Sequence, residues 1–173
     1  MSANKYLWII GLLLLTTVTA VSITVWTLFS RQETPVIAPD YAPIETEKLA
    51  EPIPDDTSDK LASPENGGAV SLSYSDQVTI TLSSKTATLM FANPGRSNMD
   101  MLLQIVVHDV VLLQSGRITP GNRVTSLELL PEAVDMLAPG GYDGVFVVSY
   151  YDQGSGEKQI VDVEIPISIT VCE

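Results

Sequence analysis

Three patterns of apolar and polar residues follow one another along the chain. From Leu7 to Phe29 the residues are apolar apart from Thr, Ser and Gly, and no charge occurs between Tyr6 and Ser30. As a helix rising ~1.5 Å per residue, that run spans roughly 34 Å, enough for a ~30 Å hydrocarbon core. Trp8 and Trp26 stand near its two ends, where indole rings settle among lipid headgroups. The run passes the small residues Val18-Thr19-Ala20 and stays apolar, unlike a cleaved secretory signal. The pattern predicts an uncleaved transmembrane anchor within residues 1–30, in the membrane over 7–29. The short flank before the span and the long polar remainder predict an N-inside, single-pass topology with the rest of the chain extracytoplasmic.

Arg31 to Ala69 shows neither a 3.6-residue nor a 2-residue period. It holds Pro35, Pro39, Pro43, Pro52, Pro54 and Pro64, and nine acidic residues face only Arg31, Lys48 and Lys60. Such a composition cannot supply a packed core, and proline with like-charge repulsion extends the chain. The segment 31–69 is therefore expected to be a disordered acidic linker.

From Val70 to Glu173 the period becomes two. Val78, Ile80 and Leu82 alternate with Thr79 and Thr81, and Ala87, Leu89 and Phe91 with Thr88 and Met90. Leu103, Ile105 and Val107 form another set. The longest runs Val161, Val163, Ile165, Ile167, Ile169 and Val171, interleaved with Asp162, Glu164, Pro166, Ser168 and Thr170. These sets describe strands with one wet face. Pro166 on the outward phase predicts an edge, or a bulge where the strand changes partner. Turn residues separate the sets at 93–95, 108–109, 119–122, 138–141 and 153–156. Strands are expected over 70–75, 77–83, 86–92, 101–107, 110–115, 123–130, 142–151 and 159–171, with a helical turn within 131–137. Seven or eight short strands in one all-β domain, 70–173, predict an antiparallel sandwich, since a parallel sheet would need crossover helices.

Leu137-Ala138-Pro139-Gly140-Gly141-Tyr142, leading into Val145–Tyr151, resembles the tyrosine corner of immunoglobulin-like and fibronectin III-like sandwiches. The resemblance implies structural roles for Tyr142, Pro139 and Gly140, with the phenol bonded back to nearby backbone. Asn93–Asn98, Ser115–Gly121 and Val148–Asp152 together are similar to a group of uncharacterised envelope proteins of Gram-positive bacteria, built as membrane anchor, acidic linker and one β-sandwich. That likeness implies a location rather than an activity.

Composition narrows the chemistry. Nine Lys+Arg against 21 Asp+Glu give a net charge of −12, which excludes electrostatic binding to nucleic acid or anionic lipid. One His and one Cys exclude any metal site or attached cofactor that needs several of either. No cofactor and no metal site are expected. His108-Asp109 reads as a hairpin tip, because neighbouring strand residues face opposite ways and cannot assemble a triad. Asp152–Glu157 reads as a hairpin loop, since an EF-hand would want ligands where Gly154, Gly156 and Val163 stand. A calcium site drawing on Asp76, Asp100, Asp143 or Asp152 from separate loops stays open at this point. Lys85 and Lys158 face Asp162 and Glu164 on the last strand but no Asn, so the usual pilin isopeptide pairing is missing. Tyr150 and Tyr151 offer a partial binding face, although one of them must point inward. Cys172 has no partner within one chain and is expected at a frayed strand end, as a free thiol or an intermolecular disulfide in a homodimer.

The expected function is a non-catalytic, membrane-tethered binding or assembly module of a cell-envelope complex with a surface-protein partner. The alternative is an envelope enzyme or enzyme inhibitor that uses the sandwich loops.

Overall fold

The computed structural model describes residues 14, 16–19, 21–22, 38–57, 59–63 and 67–173. The chain divides into two compact units, Met1–Thr34 and Pro35–Glu173. In the first, residues 14, 16–19 and 21–22 are helical. No described helix is long and apolar enough to cross a membrane. Most of the expected span over 7–29 lies outside the described residues.

The second unit is almost entirely β. Its strands are β1 (Ala50–Pro52), β2 (Ser73–Tyr74), β3 (Gln77–Thr81), β4 (Thr86–Asn93), β5 (Met99–Val107), β6 (Val110–Gln114), β7 (Asn122–Glu128), β8 (Gly140–Asp152) and β9 (Val163–Cys172). One helical turn, α1 (Pro131–Val134), follows β7 and starts on a proline, whose fixed φ suits a first helical position. The β5–β6 hairpin turns on His108 and Asp109, with φ of 49° and 64°. A two-residue turn with both φ values positive matches strand twist, and Asp and His are among the residues that enter that region most readily.

Hydrogen bonding links the strands in the order β1-β7-β4-β3-β9-β8-β5-β6, with β2 on β4. The sheet curls so that its halves face each other across one core, a sandwich-like arrangement. Phe91 of β4 meets Phe146 of β8 edge-to-face, with centroids 6.1 Å apart at 71°. Ile80, Leu103, Ile105, Leu113, Val124 and Ile169 fill the same interior.

The sheet is mixed rather than purely antiparallel. β3 runs parallel to β9, pairing Gln77–Thr81 with Ser168–Cys172. The physical reason is a change of partner at the start of β3. β2 pairs only with β4, whereas the chain beyond Asp76 also reaches β9, and Ser168 N donates to Asp76 O at 2.8 Å. Pro166 stands two residues before that junction, exposed on β9. The last strand begins at Val163, so Val161, assigned to the inward phase by its spacing, lies outside the strand and is exposed. The first strand after the expected linker is also shorter, two residues rather than 70–75.

The linker expectation needs the larger correction. Residues 38–57 lie along the sandwich as a strap. Tyr41 and Thr46 make isolated bridges with Glu157 and Arg117, and β1 adds to the edge of β7. Ala42 N donates to Gly156 O (2.8 Å), Glu47 N to Arg117 O (2.9 Å) and Ile53 N to Gly121 O (2.9 Å). Two strap carboxylates accept from loop amides: Glu47 Oε2 from Gly116 N at 2.6 Å, and Asp56 Oδ2 from Gly95 N at 2.5 Å. Further on, Leu61 N reaches Arg96 O and Lys60 Nζ reaches Ser97 O. Acidic residues that composition reads as mutual repulsion are here acceptors for backbone N–H groups, each a charge-assisted bond.

Candidate functional site

At the end of the sandwich where the chain enters β2 and β9, two extended stretches leave a cleft of about 380 Å³ between them. Val70, Met99, Val161 and Val163 line it with aliphatic surface, Tyr150 adds an aromatic wall, and Ile160 stands at the rim. Gln159 supplies the one amide side chain of the lining. Gly68 packs so closely on Met99 that a Cβ there would run into the methionine side chain. The entry stretch is held by loop side chains. Ala69 N donates to Asn98 Oδ1 (2.7 Å), Ser71 N to Ser97 Oγ (2.9 Å), and Ser97 Oγ donates back to Ser71 O (2.8 Å). Across the cleft, Gln159 N donates to Tyr150 O (2.8 Å).

The rim is unusually apolar for a surface. Ile160 is as exposed as in an extended peptide (102%), Val161 is 65% exposed and Val70 is 38% exposed. Grouped exposed aliphatics beside a concavity mark binding surface, whereas single ones are ordinary. Two buried polar atoms, Tyr150 Oη and Asp162 Oδ1, lack a hydrogen-bond partner among the described residues. Tyr150 is 5% exposed. Asp162, next in sequence to Val161 and Val163 but outside the lining, accepts from Lys158 Nζ through Oδ2 at 2.7 Å. Burial pushes the Tyr150 phenol up to about 12, and the Asp162 charge adds to the rise. The phenol thus stays a proton donor at neutral pH.

The other candidate residues lie elsewhere. Tyr151 belongs to a second cluster with Leu102 and Ala38 and forms no open face, whereas Tyr150 packs in the inner core and reaches the cleft wall. Tyr151 Oη donates to Pro39 O at 2.9 Å. His108 and Asp109 are turn residues. Buried Asp100 accepts from Gln153 Nε2 at 2.9 Å and faces Arg117 at 3.5 Å. Asp152 folds onto its own loop, accepting from Gly154 N, Ser155 N and Ser155 Oγ. Those bonds, the Ser155 amide first, hold its carboxyl below the usual aspartate range. Among the described residues, no three His, Cys, Asp or Glu side chains gather closely enough to hold a metal ion. Lys158 and Asp162 form an ion pair four residues apart.

Tyr142 Oη donates to Ala138 O at 2.9 Å and accepts from Ala138 N at 3.1 Å, closing the 138–142 corner. Pro139 lies inside that corner, and Gly140, with φ of +154°, takes the backbone through a region most side chains avoid. Cys172 is an exposed free thiol. Its strand end is not frayed, however: it pairs with Thr81, and Leu82 N donates to Cys172 O at 3.0 Å.

The cleft itself was missed by periodicity because Val161 fits the inward phase of the strand that follows. The available signal was Ile160-Val161, two adjacent aliphatics, which an alternating strand would not place on one surface.

No family model matches the chain, and no curated protein matches it. Among solved structures, the chain is similar to AggA, the major subunit of aggregative adherence fimbriae type I from Escherichia coli. That likeness has 14% identity and a TM-score of 0.29, covering 65% of this chain and 100% of the other.

Proposed function

We propose that this chain is a non-catalytic binding or assembly module, held at a cell envelope and presenting the cleft at 160–163 to a protein partner. The observation that carries the reading is the exposed aliphatic rim of Ile160, Val161 and Val70 around a concave apolar site. Apolar surface left in water costs free energy that a partner recovers on docking. The uncharged run 7–29 supports a single-pass, N-inside tether of the Gram-positive envelope type, with the sandwich extracytoplasmic. The strand order supports an immunoglobulin-like or fibronectin III-like sandwich, in which β3 joins both halves and the Tyr142 corner spans the start of β8. The non-catalytic reading rests on the chain's single imidazole being spent in a tight turn.

Site-specific photo-crosslinking in intact cells tests it. A photoreactive residue replacing Ile160 is expected to give a discrete adduct, and one replacing Met136, also exposed but distant in sequence, none. Equal labelling from both sites, or no adduct at Ile160, would contradict the reading.

A further inference from the structure

The strap and the sandwich meet a pull along the chain in different ways. Among residues 38–57 only Ala38 is buried, while Tyr41, Ile44 and Leu49 keep their side chains in water. The strap is held instead by hydrogen bonds strung along its length, each to a different part of the body. Asp40 O accepts from Lys158 N, Ala42 N donates to Gly156 O, Glu47 bonds to Gly116 and Arg117, Ile53 N donates to Gly121 O, and Asp56 accepts from Gly95 N. β1 adds only three residue pairs, and its Pro52 has no N–H to give. A pull on the chain before Ala38 therefore reaches these bonds one after another. Segments with little buried apolar surface and exposed hydrogen bonds also open without global unfolding.

In the sandwich the same pull is shared. Past the strap it enters β3 at Gln77, and it leaves β9 at Cys172. The two strands are parallel, with Gln77 beside Ser168 and Thr81 beside Cys172. The load thus enters at one end of this ladder and leaves at the other, so its bonds are strained together, in shear. Val78, Ile80, Ile169 and Val171 pack into the core beneath it and would have to slide as well. Breaking bonds together takes more force than breaking them singly.

We propose that the strap is a force-released length of tether: a pull from its N-terminal side peels residues 38–57 off the sandwich while the sandwich stays folded, and slack lets them reseat. Drawn out at ~3.5 Å per residue, the strap adds up to about 70 Å of reach. Peeling also uncovers Leu102 and Tyr151, which pack against Ala38 and Ala42. Only the origin of the load, a membrane anchor before the strap, rests on the tether reading above; the order of release follows from the topology.

The test holds the full chain, in detergent micelles, in an optical trap between DNA handles on Thr34→Cys and on Cys172, the chain's one cysteine. Two transitions are expected: a reversible one at low force that lengthens the chain by the strap, and one at higher force that unfolds the sandwich. Moving the first handle past the strap, to Asp59→Cys at an exposed position, should remove the first transition and keep the second. Glu47→Ala, which deletes the acceptor for Gly116 N, should shift the first transition to lower force and leave the second in place. Gly116→Ala should do the same, since a Cβ there would stand 2.9 Å from the Glu47 backbone N. A single transition, a sandwich that yields before the strap, or equal shifts of both transitions in Glu47→Ala overturns the proposal. If no early step occurs while Ile160 crosslinks to a partner in cells, the proposal falls and the binding-module reading stands. An early step without a crosslink leaves the strap device standing and removes that reading.

Discussion

β9 and β5 both pair with β8, yet their surroundings differ completely. Along β9 burial alternates residue by residue, with Ile165, Ile167, Ile169 and Val171 inside and Glu164, Pro166, Ser168 and Thr170 exposed. Along β5 all nine residues are buried. The inner set, Leu103, Ile105 and Val107, faces the shared core, and Leu102 lies on the opposite face against Tyr151. The cover over that second face begins at Ala38, with Ala42 against it. A strand's own sequence specifies which side is apolar, but whether its other side is wet depends on what the rest of the chain lays over it. Here a segment with no periodicity of its own decides it.

The largest expected effect lies on β9. Ile165→Asp places a carboxylate in the core, a class of change that costs more than about 4 kcal/mol and should abolish the cooperative melt seen by circular dichroism. Glu164→Ser, one residue away on the wet face, should stay within about 0.5 kcal/mol. Similar melting temperatures for the two would erase the contrast between the faces.

β5 gives the next effect in size and sharpens the comparison. If the outer face were solvated, trimming Leu102 would be nearly silent. Since Leu102 is fully buried against Tyr151, Leu102→Ala is expected to cost about 2–5 kcal/mol in a denaturant titration.

This difference also explains how much of the fold could be read from the residues. The β9 alternation, the β4 and β5 sets, the His108-Asp109 turn and Pro166 on the stretch of β9 that β3 does not pair all follow from local rules, and the structure shows them. The strap does not follow from such rules. Its hold comes from backbone groups and from single carboxylates, Glu47 and Asp56, each reaching one distant amide. Isolated acceptors leave no period, and six prolines in 31–69 look the same in a disordered stalk as in a chain pinned along a surface. The parallel pairing of β3 with β9 was hidden for a related reason. Alternation reveals a strand's faces but not its neighbours.

Smaller effects separate the corner at the start of β8 from the loop at its end. Tyr142→Phe removes the bond to Ala138 O and should cost about 0.5–1.5 kcal/mol with the fold intact. At the other end, the Asp152 carboxyl is stabilised in its ionised form, so its folded value lies below its unfolded one. Its contribution is present above the ordinary aspartate range and is lost as the pH falls through the lower folded value. The Gly154 and Ser155 amide resonances should therefore titrate with a midpoint below the usual aspartate value of about 3.9. A midpoint at or above it would mean that the loop bonds do not form in solution.

The central structural claim is that the folded body includes the strap and does not start at residue 70. Amide hydrogen exchange on the full chain tests this most directly, through Ala42, Glu47 and Ile53, whose N–H groups bond to Gly156, Arg117 and Gly121. Protection is expected at all three, lost at Glu47 and Ala42 together when Leu102→Ala loosens the face beneath the strap, while β9 amides stay protected. Exchange at all three in the intact chain as fast as in an unstructured peptide would contradict it.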